Sequence, residues 1–122
     1  MQTLRAYFEL LRYEIAMRFG GFKRVHDGVK AMPVAKRTPE RGLVPESVAA
    51  VETATCFFWK PMLCLPRAVA LTRLLRRQGV DAEMVIGYRP SPFMSHAWVE
   101  VDGAIVNDSP EYQKRLLVLE RI

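Results

Sequence analysis

The apolar pattern of this chain changes period once, at Gly79, and that change limits the fold more than any other feature. Before Gly79 apolar residues recur every three or four positions, and after it they alternate. Helices first and strands afterwards define an α+β architecture, in which a helical layer covers a small antiparallel sheet. The first helix should span residues 3–19, with Leu4, Phe8, Leu11, Ile15 and Phe19 on one stripe and Arg5/Glu9 and Glu14/Arg18 as i, i+4 pairs. Its stripe is expected to dock on the core, with a partner or a membrane surface as the alternative, and Gly20-Gly21 to stop it. Residues 22–45, rich in Gly, Pro, Lys and Arg, should form a flexible basic connector. A second helix is expected over 46–58, with Val48, Val51, Thr55 and Phe58 along one face, and Pro61 beyond its end. A third starts near Cys64, accepts Pro66 in its first turn and carries Ala68, Leu71, Leu74 and Leu75 to a stop at Gly79. Strands are predicted at 82–88, 95–100 and 104–108. The expected division is an N-terminal helix and connector, 1–42, packed on a core formed by 43–122.

At 122 residues the chain has room for one hydrophobic core. Half of it is hydrophobic and a quarter charged, which excludes a disordered or fibrous chain. No stretch approaches the roughly 20 apolar residues of a membrane span, since Arg5, Glu9, Arg12 and Glu14 interrupt the N-terminal one. Neither a stable membrane span nor a signal peptide is therefore expected. Cys56 and Cys64 are too few for a disulfide scaffold and lack a CxxC spacing, so a reduced, cytoplasmic chain with a thiol free for chemistry is the expectation. The formal charge of +5 favours an anionic partner: nucleic acid, an acidic peptide or an anionic lipid surface. Arg67, Arg73, Arg76 and Arg77 on the third helix, and the basic residues of the connector, read as solvated charge. No nucleic-acid motif accompanies them, and no nucleic-acid partner is assigned.

Three residues carry candidate chemistry. Cys64 stands at a predicted helix N-terminus, where orphan N–H groups and the helix dipole favour a thiolate and can hold an oxyanion. His96 on the second strand can accept the thiol proton and return it to a leaving amine, and Asp108 on the third can fix the imidazole tautomer. The hairpin register decides whether the last two meet. A two-residue turn at Asp102-Gly103 would put them on opposite faces of a regular ladder, so we expect a three-residue bulged turn, pairing Glu100 with Ala104 and facing His96 to Asp108. That register also sets Trp98 opposite Val106, and Ala97, Val99, Ile105 and Asn107 on the other face.

Each residue has an ordinary alternative: a buried small hydrophobe for Cys64, a satisfied strand histidine for His96, a turn residue for Asp108. Cys56, deep in the second helix, is expected to be packing, and His26 a surface residue of the connector. A zinc site from Cys56, Cys64 and His96 lacks the short paired spacing of structural sites, so no metal and no cofactor are expected. Trp98, Phe93 and Tyr88 could line a peptide cleft or be ordinary core and loop aromatics.

The segments CLxRAxAL, LLRRQGVDAEMVIG, PFxxHAWVEVDG and the closing ND, from Cys64 to Asp108, resemble the transglutaminase-like, papain-related cysteine peptidases that remove the leader from lasso-peptide precursors. The hydrophobic and basic N-terminal helix ending in Gly-Gly is also similar to that family's. The resemblance implies Cys64 as nucleophile, His96 as general acid/base and Asp108 as its orienting carboxylate. It further implies hydrolysis of one amide bond in a precursor peptide, a separate leader-recognition protein, since the chain is too short for a further leader-binding domain, and an ATP-dependent cyclase that closes the macrolactam. One departure stands out: Phe58 occupies the position of the papain-type oxyanion glutamine, six residues before the cysteine, leaving Trp59 and Lys60 as weak substitutes. Two alternatives share these residues. One is acyl or amide transfer through the same thioester, and the other is a non-catalytic peptide- or nucleic-acid-binding module.

Overall fold

In the computed structural model, which describes residues 2–90 and 93–122 with Phe93 by its backbone alone, α1 (Gln2–Ala31) consists of two helical limbs joined at a kink, and the first limb ends at the paired glycines as expected. Gly21 adopts φ 70°, ψ −169°, a break that only glycine takes at little cost, and a second helical limb, not expected from the sequence, begins beyond it. Val25 and Val29, one turn apart, are buried on the second limb. Their burial holds this second limb against the core, because most helical stability in proteins comes from packing. The irregular connector is correspondingly shorter than predicted.

The stripe expected to dock does not. Ala6, Leu10 and Tyr13 are buried against the following helices, while Leu4, Phe8, Ile15 and Phe19 face outward. At about 3.6 residues per turn these sets lie on nearly opposite sides of the helix. The buried face is the smaller one and carries Glu9, whose carboxylate meets Arg73 Nε and Arg77 Nε at 2.8 Å each.

Helix α2 (Leu43–Cys56) begins after Gly42, and α3 (Cys64–Arg77) falls where the sequence placed it. Arg76 of α3 is buried rather than solvated. It donates from Nε to the Ala82 carbonyl at 2.9 Å, from Nη1 to the carbonyls of Val29 and Met32, and from Nη2 to the Ile122 carbonyl at 2.8 Å. One guanidinium thus satisfies orphan carbonyls at the C-terminal end of α1 and ties them to the start of the sheet and the end of the chain. With Arg67 3.5 Å from Glu52, all four α3 arginines have protein partners.

The sheet has strands β1 (Ala82–Pro90), β2 (Phe93–Val101), β3 (Ala104–Ile105) and, beyond the single helical turn α4 (Tyr112–Arg115), β4 (Leu117–Arg121). All pairings are antiparallel, in the order β3-β2-β1-β4; α4 and β4 were not anticipated from the sequence. Ala82, Met84, Ala97 and Val99 cover the helix-facing side, in one cluster with Ala6, Leu10, Leu71 and Leu75, so residues before and after position 42 share a core. Val85 and Trp98, directly paired, occupy the other side with Leu116, just after α4. A Cβ at Gly87 would stand 2.6 Å from the Trp98 ring; the missing side chain lets the indole lie across β1.

The register differs from the expected one. Val101 pairs with Ala104 and Glu100 with Ile105 around a two-residue turn, Asp102 at φ 53° and Gly103 at φ 80°. Both central residues are left-handed, as a type I′ turn requires, and its twist matches that of the strands. Ile105 therefore joins the Trp98 side and Val106 the helix side, the reverse of the prediction.

Candidate active site

Two anchors form the site. Cys64 is the first residue of α3, and its N-cap Leu63 supplies no side-chain hydrogen bond to the helix end. The Cys64 and Leu65 N–H groups consequently lack intrahelical partners, while Pro66 has none to offer. The second anchor is His96 on β2, whose Nε2 lies 2.6 Å from Asp108 Oδ2. Asp108 Oδ1 accepts the Ser109 N–H at 2.8 Å, so both carboxylate oxygens are engaged.

This contact forms despite the register because the ladder ends first. Val106 N–H still bonds the Val99 carbonyl at 3.0 Å, but the Val99 N–H is taken by Asn107 Oδ1 at 3.0 Å instead of by a strand carbonyl. The chain then bends away, and strand parity no longer dictates where Asp108 points. Asn107, which the sequence reading placed on a strand face, is the side chain that closes the ladder.

Cys64, His96 and Asp108 line one cleft of about 240 Å³, with Met62, Leu63, Arg67, Ala97, Asn107 and Glu52 as further walls. Among the described residues the thiol makes no hydrogen bond to the imidazole; they share the cleft, whereas imidazole and carboxylate are already joined. With Nε2 committed to Asp108, Nδ1 is the nitrogen left for proton exchange.

Tyr112, unnoticed in the sequence, stacks on the His96 ring at 4.3 Å between centroids and 24° between planes. No local signal marks it, because α4 brings it back across the sheet. Trp98 lies behind the same histidine at 6.3 Å; it is wholly buried and donates its indole N–H to Glu100 Oε2 at 2.8 Å. Burial alone would push the Glu100 carboxyl up, but hydrogen bonds from Trp98, Arg121 and Gln113, with the Arg121 charge, outweigh it and hold the group below its ordinary value. Burial pushes the Tyr13 phenol up, with smaller contributions from negative charge on Glu14 and Cys64, so it remains a neutral donor.

Other expectations change. Trp98 is out of reach of a substrate because it is buried, Tyr88 is half-buried on β1 outside the cleft walls, and the Phe93 side chain lies outside the described residues. Phe58 is buried and its ring packs near Tyr7, Trp59 is exposed, and Lys60 pairs with Glu14 at 3.1 Å. Neither substitute oxyanion donor lines the cleft. Cys56 is exposed at the end of α2 rather than packed. His26 is no surface residue: its ring is largely buried and its Nε2 contacts Glu120 at 2.7 Å.

Helices followed by a small antiparallel sheet are the fold on which these residues stand, and the chain belongs to the Transglutaminase-like superfamily, whose family model matches residues 9–121. The chain is also similar to the Microcin J25-processing protein McjB of Escherichia coli, with 46% identity over 59 residues. That stretch covers 48% of this chain and 28% of the relative. No solved structure matches the chain. Among the described residues no helix is long and apolar enough to cross a membrane.

Proposed function

We propose that this protein is a cysteine endopeptidase that cleaves the leader from a ribosomally made lasso-peptide precursor. The observation carrying the reading is the 2.6 Å bond between His96 Nε2 and Asp108 Oδ2, in the cleft that also holds Cys64 at the end of α3. Similarity to the microcin J25-processing relative and the motifs from Cys64 to Asp108 support the substrate class.

Asp108 holds the Nε2–H tautomer, so Nδ1 is the base that takes the Cys64 proton as the substrate closes the cleft. The thiolate, favoured by the helix end, attacks the scissile carbonyl. The oxyanion is received by the unpartnered N–H groups of Cys64 and Leu65. Nδ1–H then protonates the leaving amine, and water, activated by the same nitrogen, hydrolyses the thioester. No cofactor enters these steps. The proposed partners are the precursor peptide, a separate leader-recognition protein and an ATP-dependent cyclase, in a cytoplasmic setting.

The test is to incubate the protein with the precursor and recognition protein of its genomic neighbourhood and record product masses. Free leader and core peptides, abolished by Cys64→Ala with precursor binding retained, are expected. A leader joined to an added amine would instead make the protein a transferase, and unchanged function in Cys64→Ala would make it a binding module.

A further inference from the structure

Away from the cleft, a concavity of about 930 Å³ lies where the two limbs of α1 meet α3. Its floor is the stripe that failed to dock: Phe8, Ile15 and Phe19, at 59, 53 and 75% exposure, with Leu11 between them. Four arginines rim it, Arg12 and Arg24 from α1 and Arg73 and Arg77 from α3. The latter two share the single carboxylate of Glu9, whereas Arg12 and Arg24 have no ion pair or hydrogen bond among the described residues. A soluble surface seldom exposes such a run of large apolar side chains unless something covers it.

We propose that this groove docks an amphipathic helix of a partner polypeptide, one with large apolar side chains along one edge and acidic residues on its flanks. Three features select that occupant. Residues 8, 11, 15 and 19 follow the helix–helix seam spacing and extend over about 16 Å, some three turns. The floor is concave between two helices, a shape that a third helix fills and a flat lipid surface does not. The two unpartnered guanidiniums on the rim call for carboxylates, and they disfavour a second copy of this chain, which would bring like charges together. The proposal goes beyond the peptidase reading and does not depend on Cys64.

The test uses the full chain carrying Cys64→Ala and a fluorescein-labelled probe helix of about 14 residues, roughly four turns. The probe has Leu and Phe at the seam spacing and Glu elsewhere; its counterpart has Lys in place of Glu. By anisotropy at low salt, the Glu peptide should bind at least about tenfold more tightly than the Lys peptide and weaken as salt rises. Phe8→Ser with Ile15→Ser should reduce binding about tenfold or more without altering circular dichroism or Tm, since both residues are exposed. Arg12→Glu with Arg24→Glu should reverse the preference. No binding of the Glu peptide, equal binding of both peptides, or binding unaffected by Phe8→Ser with Ile15→Ser would overturn the proposal. So would stripe-dependent dimers in sedimentation, or stripe-dependent attachment to phosphatidylglycerol vesicles without peptide binding.

Discussion

Replacing Asp108 by asparagine probes the site where its geometry is tightest. Both carboxylate oxygens are acceptors, Oδ2 for His96 Nε2 at 2.6 Å and Oδ1 for the Ser109 N–H at 2.8 Å. An asparagine offers one acceptor and one donor to those two positions. With its oxygen toward His96 it preserves the Nε2–H tautomer. With its nitrogen there, it donates to Nε2 and moves the ring proton to Nδ1, leaving nothing to accept the thiol proton. Ser109 is exposed, so water can satisfy its N–H, and the two orientations should differ by no more than about 1 kcal/mol. The orientation that keeps the Ser109 bond is the unproductive one, so between about one-sixth and one-half of the molecules remain productive. Those have exchanged a charge-assisted hydrogen bond for a neutral one, a loss of about 1–1.5 kcal/mol, or five- to tenfold in rate. We therefore expect Asp108→Asn to lower kcat/KM about 10–60-fold, mostly through kcat, and Asp108→Ala to lower it at least about 100-fold. Precursor cleavage followed by mass spectrometry measures both. Tm should move by no more than about 4 °C, because a partly exposed pair contributes roughly 1 kcal/mol or less. An asparagine variant as fast as the unaltered protein, or as inactive as Cys64→Ala, would refute the orienting role.

Tyr112→Leu removes the ring stacked on His96, an interaction worth about 0.5–1.5 kcal/mol, and should lower kcat two- to tenfold while Tyr112→Phe stays near normal; a Tm change without a kcat change would deny the positioning role. Gly87→Ala places a methyl 2.6 Å from a buried indole that is anchored to Glu100 and has nowhere to retreat. The strain of about 1–3 kcal/mol should lower Tm by roughly 4–12 °C, and an unchanged Tm would contradict the packing. Because the Glu100 carboxyl is held below its ordinary value near 4.5, its stabilisation is complete above that pH and drains as pH falls through the lower, folded-state value. Glu100→Gln should accordingly flatten the loss of urea resistance between pH 5 and pH 2; parallel curves for the two proteins would count against the network.

Much of the fold was legible where burial and local chemistry agree. The start of α3 at Cys64 followed from a Pro-containing first turn and the apolar period behind it, and β1 and β2 followed from strict alternation. The glycine pair ends the first limb of α1 as the sequence implies, whereas the second limb, held by the burial of Val25 and Val29, lies where only a connector is expected. The buried face of α1 differs from the expected one because its largest apolar stripe is not the one that α2 and α3 can approach while Glu9 meets two guanidiniums. The hairpin register differs from the expected one for a local reason. Asp-Gly took its own preferred two-residue form, and His96 still met Asp108 by a route that strand parity does not describe.

What the amino-acid order alone determined is the inventory and its sequence along the fold: helices before strands, a thiol at a helix tip, an imidazole on a strand, a carboxylate after an Asp-Gly turn. These depend on short-range periodicity, capping and turn chemistry, which act over a few residues. The three-dimensional structure decided which face of α1 is covered, how Asn107 ends the ladder so that Asp108 can turn to His96, and that Tyr112 returns to cover the imidazole. Those outcomes depend on contacts between residues far apart in the chain, where competing packings of similar local quality are separated only by the volumes and charges they bring together.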